Sequence, residues 1–168
     1  MADHIGDLSN KIKKIEIKIN PNVTPKELYE FYENNDICEK GYGKEIASRV
    51  LQHSSLIVGA YLEGKLVGIA RAMFDGLVAE IVEFCLSLEL QGKGLEYDNG
   101  SIIEKDEFTV GKQLGEAIIT ELNRMGAFFV SAIVFEEVEK EFFESVGFKK
   151  NVGHINYIID RRPYVIGS

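Results

Sequence analysis

The sequence of 168 residues is poor in cysteine and contains only Cys38 and Cys85. Two cysteines are too few for a disulfide framework, so we expect two free thiols in a reducing compartment. The three histidines, His4, His53 and His154, lie far apart and are not near the cysteines in sequence. Metal-ligand spacing is therefore absent from the sequence, and we expect no metal.

Long hydrophobic runs are also missing. No apolar stretch approaches the roughly 20 residues that a helix needs to span a bilayer. The first 14 residues, MADHIGDLSNKIKK, are polar and lack the apolar core of a signal peptide. We therefore expect a soluble protein of the cytoplasm.

An excess of positive charge is the third absence, since the formal net charge is −8. Nucleic acid and anionic membranes both require a basic face, so neither is expected as the main partner. An acidic protein is better suited to a cationic substrate such as an amine. With 45% apolar residues and no repeat, residues 1–168 are expected to form one domain.

Strands and helices follow one another in the first half of the chain. The alternating sequence KKIEIKI at 13–19 predicts a half-buried strand. A capping box, Thr24-Pro25-Lys26-Glu27, predicts the start of a helix, and a second helix is expected near 44–53. Two strands then flank the turn at Glu63-Gly64-Lys65, and residues 78–88 predict a fourth, central strand.

The second half contains an insertion, residues 95–108, in which Asp98-Asn99-Gly100 is typical of a turn with positive φ. We predict that it forms a β-hairpin. A helix from about Gly111, a short buried strand at 127–135, a helix at 136–146 and a strand around 154–160 complete the chain. The predicted fold class is α/β (α+β), with a single mixed central sheet flanked by helices.

A glycine-lysine turn precedes the helix that begins near Gly111. Exposed amides at a helix N-terminus bind phosphate through their N–H groups and the helix dipole. Gly111 and Gly115 would let a ligand approach without a side-chain clash. The turn is not a nucleotide-triphosphate loop, because Gln113 follows Lys112 where serine or threonine is required, and the dinucleotide fingerprint G-x-G-x-x-G is absent.

Three segments together resemble the GNAT superfamily, the Gcn5-related N-acetyltransferases. The first is LIVGAYLEGKLVGIARAMFDG, at 56–76, which is similar to the second and third strands of that family. The second is EIVEFCLSLELQGKGL, which would run directly into GKQLGEAII if residues 96–110 were removed. The third is EFFESVGF, at 141–148. The resemblance extends over roughly residues 12–160.

The resemblance implies an enzyme that transfers an acetyl group from acetyl-CoA to a primary amine of a small molecule or peptide by direct attack. In that family the fourth and fifth strands splay apart around the pantetheine arm of the coenzyme. The pantetheine would face backbone atoms of Phe84, Cys85 and Leu86, and Phe143 would pack near the thiol or in the core. The pyrophosphate amides would be those of Val110, Gly111, Lys112, Gln113, Leu114 and Gly115, with added charge from Lys112.

The sequence departs from the family pattern in two places. The residue that starts the phosphate loop corresponds either to Gln91 or to Asp106, whose charge would repel phosphate; Gln91 is preferred, with the hairpin projecting outward from two neighbouring stems. A tyrosine that serves many members as general acid corresponds to Phe143. The alternative is therefore a non-catalytic acyl-CoA-binding or regulatory module. A third reading is an interaction scaffold that uses the hairpin and has lost the coenzyme.

Glu83 is the candidate general base, because it lies on the strand expected to reach the thioester, where it could act through a water. The alternative is a carboxylate that is exposed or paired with Arg71 on the neighbouring strand. Glu80 is the second candidate and is expected on the opposite face of the strand. Cys85 is expected to be a structural thiol. Because the hairpin is expected to expose apolar side chains, we favour a homodimer through it over a lid for the cleft.

Overall fold

A computed structural model describes residue 10 and residues 12–162. Five strands form one sheet, in the order β1-β2-β3-β4-β5. β4 and β5 are parallel, whereas all other neighbours are antiparallel, which confirms the predicted mixed sheet. The strands are β1 (Ile15–Ile19), β2 (Leu56–Leu62), β3 (Lys65–Phe74), β4 (Val78–Leu86) and β5 (Phe129–Ala132).

Helices cover the sheet and connect its strands. The α-helices are α1 (Pro25–Asn34), α2 (Glu45–His53), α3 (Leu88–Gln91), α4 (Val110–Met125) and α5 (Glu136–Ser145), with a 3-10 helix at Cys38–Tyr42. The predicted cap of α1 is present, since Oγ1 of Thr24 accepts a hydrogen bond from the Glu27 amide at 3.1 Å. None of the helices in the described part of the chain is both long and apolar enough to cross a membrane.

Two apolar clusters form the core. α4 packs Leu114, Ile118 and Leu122, all fully buried, in one cluster with β2, β3 and β4. α1 contributes Leu28 and other side chains to the second cluster, together with Tyr61, Leu66, Ile69 and Cys85 of the sheet. Because the sheet is buried between helices, its central strands are apolar on both faces.

A β-bulge in β4 determines where the sheet opens. Arg71 of β3 faces Glu83, and the next residue, Ala72, faces Ile81, so Val82 has no partner on β3. An extra residue bends the strand that carries it and increases its twist. On the other side of β4, pairing with β5 ends at Ile81 opposite Ala132. The last five residues of β4 therefore have no paired residue on β5.

The predicted hairpin at 95–108 is wrong, because the structure has no strand between α3 and α4. The positive φ predicted near the turn occurs at Asp98, where φ is 50°. Ile102 and Ile103 are consecutive and both buried, at 3% and 1% exposure. Successive side chains of a strand point to opposite faces, so a surface hairpin could bury only one of these two neighbours against the domain. An irregular segment can bury both.

Two further expectations for the C-terminal half are corrected. The strand predicted at 127–135 is shorter than expected and is not buried, since Phe129 is 52% exposed. The strand predicted around 154–160 is absent, and those residues are irregular and exposed. Among the described residues, β5 pairs only with β4, so its outer edge forms no ladder with this segment.

Candidate active site

A cleft of about 330 Å³ lies where the pairing of β4 with β5 ends. Its walls come from both strands, from the 3-10 helix, from α5 and from the insertion. Four carboxylates line the cleft, together with one guanidinium. These residues are Glu39, Glu80, Glu83, Glu139 and Arg162.

Glu83, the predicted base, lies at the cleft wall but is held by protein contacts. Its carboxylate accepts hydrogen bonds from Nε of Arg71 and, at 3.1 Å, from the hydroxyl of Tyr32. Arg71 in turn donates to the hydroxyl of Ser54 at 2.9 Å. The alternative that the sequence left open, pairing of Glu83 with Arg71, is therefore present. Burial, followed by the charge of Glu83, raises the pKa of Tyr32, so its hydroxyl keeps its proton as a donor.

Glu80 also lines the cleft, on the same side as Glu83. A regular strand would place side chains three residues apart on opposite faces, as the sequence predicted. The extra residue of the bulge, Val82, shifts that alternation by one position. The bulge therefore brings the two carboxylates to one side, and the expectation of opposite faces is wrong.

Glu39, on the 3-10 helix, is a site residue that the sequence did not indicate. Its Oε2 is buried and has no hydrogen-bond partner among the residues that the structure describes. Burial, followed by the charge of Glu83, raises the pKa of Glu39 from 4.5 to about 7. Glu39 lies in an irregular link between helices, where no periodic pattern marks a residue as buried.

The carboxylate of Glu139, on α5, is hydrogen-bonded to backbone amides. It accepts hydrogen bonds from the amides of Ile103, at 2.8 Å, and Phe135, at 3.1 Å. Burial raises the pKa of Glu139, and these two amides oppose that increase. With Glu83 and Glu139 held by the protein, Glu39 and Glu80 are the two cleft carboxylates open to a ligand.

The predicted pyrophosphate amides lie at the N-terminus of α4, where they already have an acceptor. The carboxylate of Asp106 accepts from the amide of Gly111 at 2.8 Å and from the amide of Lys112 at 2.7 Å. The amide and side chain of Gln113 both donate to the carbonyl of Thr109. Val110 and Leu114 are fully buried in the core, so their side chains serve packing.

α5 lies close against the same end of α4. A Cβ placed on Gly111 would be 3.0 Å from the ring of Phe142, and one on Gly115 would be 2.6 Å from Cγ1 of Val146. Glycine at these two positions therefore permits close packing of the two helices in this structure. The sequence had assigned both glycines to the approach of a phosphate.

The end of β4, predicted to bind pantetheine, is covered as well. The amide of Leu86 donates to the carbonyl of Gly100 in the insertion at 3.1 Å. The ring of Phe84 packs edge-on against Phe142 and Phe143 of α5, with centroids 5.2 and 6.1 Å apart. Cys85 is 1% exposed, which agrees with a structural thiol, and burial, followed by the charge of Glu83, raises its pKa.

Gln91 does not start an open phosphate loop. It is fully buried; its side-chain amide donates to the carbonyls of Leu86 and Ile102 and accepts from the amide of Glu104. The two stems of the insertion are close, as predicted, since the Glu107 amide donates to the carbonyl of Gln91 at 3.4 Å. The insertion folds onto its own domain instead of projecting outward. In this conformation the predicted groove does not fit acetyl-CoA.

No protein-family model and no curated protein matches the chain. Solved structures do match. A Staphylococcus aureus protein of unknown function, a probable acetyltransferase, is 17% identical over 87% of this chain and 98% of its own, with a TM-score of 0.64. A GNAT-family acetyltransferase of Streptococcus pneumoniae is 21% identical over 88% and 98%, with a TM-score of 0.62.

The aminoglycoside N-acetyltransferase AAC(6')-Iy, solved with a bisubstrate analogue that contains CoA, is 12% identical. It aligns over 87% of this chain and 98% of its own, with a TM-score of 0.59. At these identities the likeness concerns the fold alone. The resemblance to the GNAT superfamily is confirmed at that level, and the chain has the fold of the GNAT acetyltransferases.

Proposed function

We propose that this protein is an N-acetyltransferase that transfers an acetyl group from acetyl-CoA to a primary amine of a small molecule or peptide. The observation that carries the proposal is the carboxylate-lined cleft between β4 and β5, opened by the bulge at Val82. The structural neighbours with this fold include acetyltransferases of amine compounds, the aminoglycosides. Fold alone does not specify a substrate, so the acceptor class rests on the charge of the cleft.

A cationic acceptor matches the two open carboxylates. Glu39 and Glu80 line the cleft, and Oε2 of Glu39 has no hydrogen-bond partner among the described residues, so an ammonium group could pair with either carboxylate. Before it can act as a nucleophile, an ammonium group must give its proton to a base. A carboxyl whose pKa lies near 7 is suited to that exchange at neutral pH, which favours Glu39.

Glu83 remains the base predicted from the sequence, and its contacts suggest a different contribution. Its Oε2 accepts from both Arg71 and Tyr32, its Oε1 accepts from the thiol of Cys85 at 3.5 Å, and the side chain is 1% exposed, so an incoming amine has little access to this carboxylate. Its negative charge nevertheless raises the pKa of Glu39. We therefore propose Glu39 as the group that takes the proton, with its burial and, second to it, the charge of Glu83 keeping its pKa near neutral.

A second candidate function is favoured by Asp106. Because its carboxylate occupies the amides of Gly111 and Lys112, the chain resembles a non-catalytic module as much as an enzyme in this conformation. Such a module would bind acyl-CoA without turnover, whereas the interaction scaffold would bind none. The proposed enzyme requires a conformation in which the insertion has left the groove.

The test is thiol release from acetyl-CoA in the presence of a panel of amines, such as a polyamine, an aminoglycoside and a lysine peptide. We expect amine-dependent release by the natural sequence and a loss of at least tenfold in kcat/KM for Glu39→Gln. Glu141→Gln, which removes an exposed carboxylate from α5, is the matched control and should leave the rate unchanged.

One result would reject the activity and another would reject Glu39 as its base. Binding of acetyl-CoA without turnover on any amine supports the non-catalytic module. Equal rates for Glu39→Gln and Glu141→Gln would remove Glu39 from the reaction, and Glu83→Gln would then be compared in the same assay.

A further inference from the structure

The backbone of the insertion contacts the ends of both β4 and α1. The carbonyl of Gly100 accepts from the Leu86 amide at 3.1 Å, and the amide of Gly100 donates to the carbonyl of Asn35 at 2.8 Å. A Cβ at position 100 would lie 2.9 Å from that Asn35 oxygen, so only glycine allows this approach. The backbone of the insertion therefore bridges β4 and the end of α1.

Two buried polar side chains also hold the insertion in place through hydrogen bonds. The side-chain amide of Gln91 donates to the carbonyl of Ile102 at 2.9 Å, and Glu139 accepts from the Ile103 amide at 2.8 Å. Buried polar groups are costly unless they are hydrogen-bonded, so these contacts hold the segment in one position. Gln91 and Glu139 are both buried and would lose these partners if the insertion moved away.

Asp106 places a negative charge at the N-terminus of α4. Its two carboxylate oxygens accept from successive amides, those of Gly111 and Lys112. An anion is stabilised at this end of a helix by the exposed N–H groups and the helix dipole. Burial raises the pKa of Asp106, and the α4 amides oppose that increase.

The residue at the N-cap position does not supply this cap. The N-cap residue of α4 is Thr109, whose side chain makes no capping hydrogen bond and whose φ is 59°. A β-branched residue in the left-handed region is strained. The chain therefore tolerates an unfavourable N-cap while a carboxylate three residues upstream reaches the amides.

We propose that the insertion is an internal occupant of the coenzyme groove, and that acyl-CoA and the insertion bind that groove in mutually exclusive fashion. The Gly100 carbonyl takes the β4 amide that a pantetheine would use, and the Asp106 carboxylate takes the amides that a diphosphate would use. The identity of the competing ligand rests on the proposed function. The occupation of the groove rests on the contacts alone.

A competing segment lowers apparent affinity in proportion to the fraction of molecules in which the groove is open. Removing the charge of Asp106 weakens the contact between the insertion and the groove. It also removes a negative charge from the place where a diphosphate would bind. The natural sequence is therefore expected to bind coenzyme A weakly, and a variant at Asp106 more tightly.

Calorimetric titration with coenzyme A compares Asp106→Asn with Asp98→Asn. Asp98 is exposed in the same insertion, so its substitution removes the same charge without touching the groove. We expect a dissociation constant at least tenfold lower for Asp106→Asn and unchanged for Asp98→Asn. Equal dissociation constants for the natural sequence and both variants would overturn the proposal.

A second variant covers the case in which Asp106→Asn fails to fold. Residues 94–106 are replaced by two glycines, which the close stems permit because the Glu107 amide lies 3.4 Å from the Gln91 carbonyl. This variant should bind coenzyme A at least as tightly as Asp106→Asn. If it folds and binds no coenzyme A, both this inference and the proposed acetyl transfer fail.

Hydrogen exchange in the natural sequence gives a readout that does not depend on turnover. Saturating coenzyme A should speed amide exchange at residues 100–104 while residues 110–113 stay protected. Binding that leaves exchange at 100–104 unchanged would overturn the inference and leave the proposed function standing. If Asp106→Asn and the variant without residues 94–106 bind coenzyme A tightly but acetylate no amine, the inference stands and the proposed function fails.

Discussion

Nε of Arg71 donates a hydrogen bond to the carboxylate of Glu83 across β3 and β4, and the two side chains are 8% and 1% exposed. The pair lies opposite the bulge, where the strand bends to open the cleft. Its burial means that neither charge can be solvated alone. The contact therefore links the stability of the sheet to the geometry of the candidate site.

Arg71→Met should destabilise the protein by about 3–5 kcal/mol, because it leaves the carboxylate of Glu83 buried without its cation. Adding Glu83→Leu should restore most of the loss, since the unpaired charge is then gone. Urea unfolding measures both. As a control, Lys26→Met removes a partner of Glu30 from an ion pair whose side chains are 85% and 57% exposed, and it should cost under about 1 kcal/mol. A loss of that small size for Arg71→Met would contradict the prediction.

Stability should decrease as pH rises through the range in which Glu39 ionises. Its pKa is about 7 in the folded state against 4.5 for the free side chain, so the folded protein binds the extra proton between these values. The lost contribution is about 3 kcal/mol once pH exceeds 7. Glu39→Gln should remove this part of the pH dependence and be the more stable form at pH 8. Parallel stability curves for the two proteins from pH 5 to 8 would show that Glu39 does not titrate in this way.

Gly115 is predicted to be required by packing between α4 and α5. Gly115→Ala should cost about 1–2 kcal/mol, because its Cβ would meet Val146 and this outweighs the gain in helix propensity. In the double variant with Val146→Ala the two losses should not add, since the clash is then absent. The cycle is measured by chemical denaturation. Strict additivity would mean that the two side chains do not compete for the same space.

Thr109 is predicted to be a strained position. Thr109→Gly should raise the unfolding free energy by up to about 1 kcal/mol, because glycine adopts a φ of 59° without steric cost and the threonine makes no cap hydrogen bond. Thr24→Ala is the contrasting control. It should lower stability by about 1 kcal/mol, since Thr24 does cap α1. A loss of stability in both variants would show that Thr109 is not strained.

The homodimer through the insertion stays a prediction, and the insertion exposes less apolar surface for it than the sequence predicted. Ile102 and Ile103, two of the apolar residues expected at such an interface, are buried within the chain. Tyr97 packs edge-on against Phe135, with centroids 5.4 Å apart, and is 37% exposed. Light scattering of the natural sequence would report the oligomeric state directly.

Local patterns in the sequence determined most of the elements. The capping box at Thr24, the alternation at 13–19 and the apolar spacing from Leu114 to Leu122 predicted α1, β1 and α4. Each depends on residues within a few positions of one another, where backbone geometry and side-chain period act directly. The order of these elements also predicted the mixed sheet, and the resemblance of three segments to the GNAT superfamily implied the acetyltransferase fold.

Only the tertiary structure decided the site. The partner of Glu83, the bulge at Val82 and the burial of Glu39 depend on residues brought together across the sheet and from α1. The course of the insertion depends on surfaces that it meets at Asn35, Leu86 and Glu139, far from it in sequence in two of the three cases. A segment without a hydrophobic period has no local preference strong enough to specify a shape, so long-range packing and buried hydrogen bonds determine it.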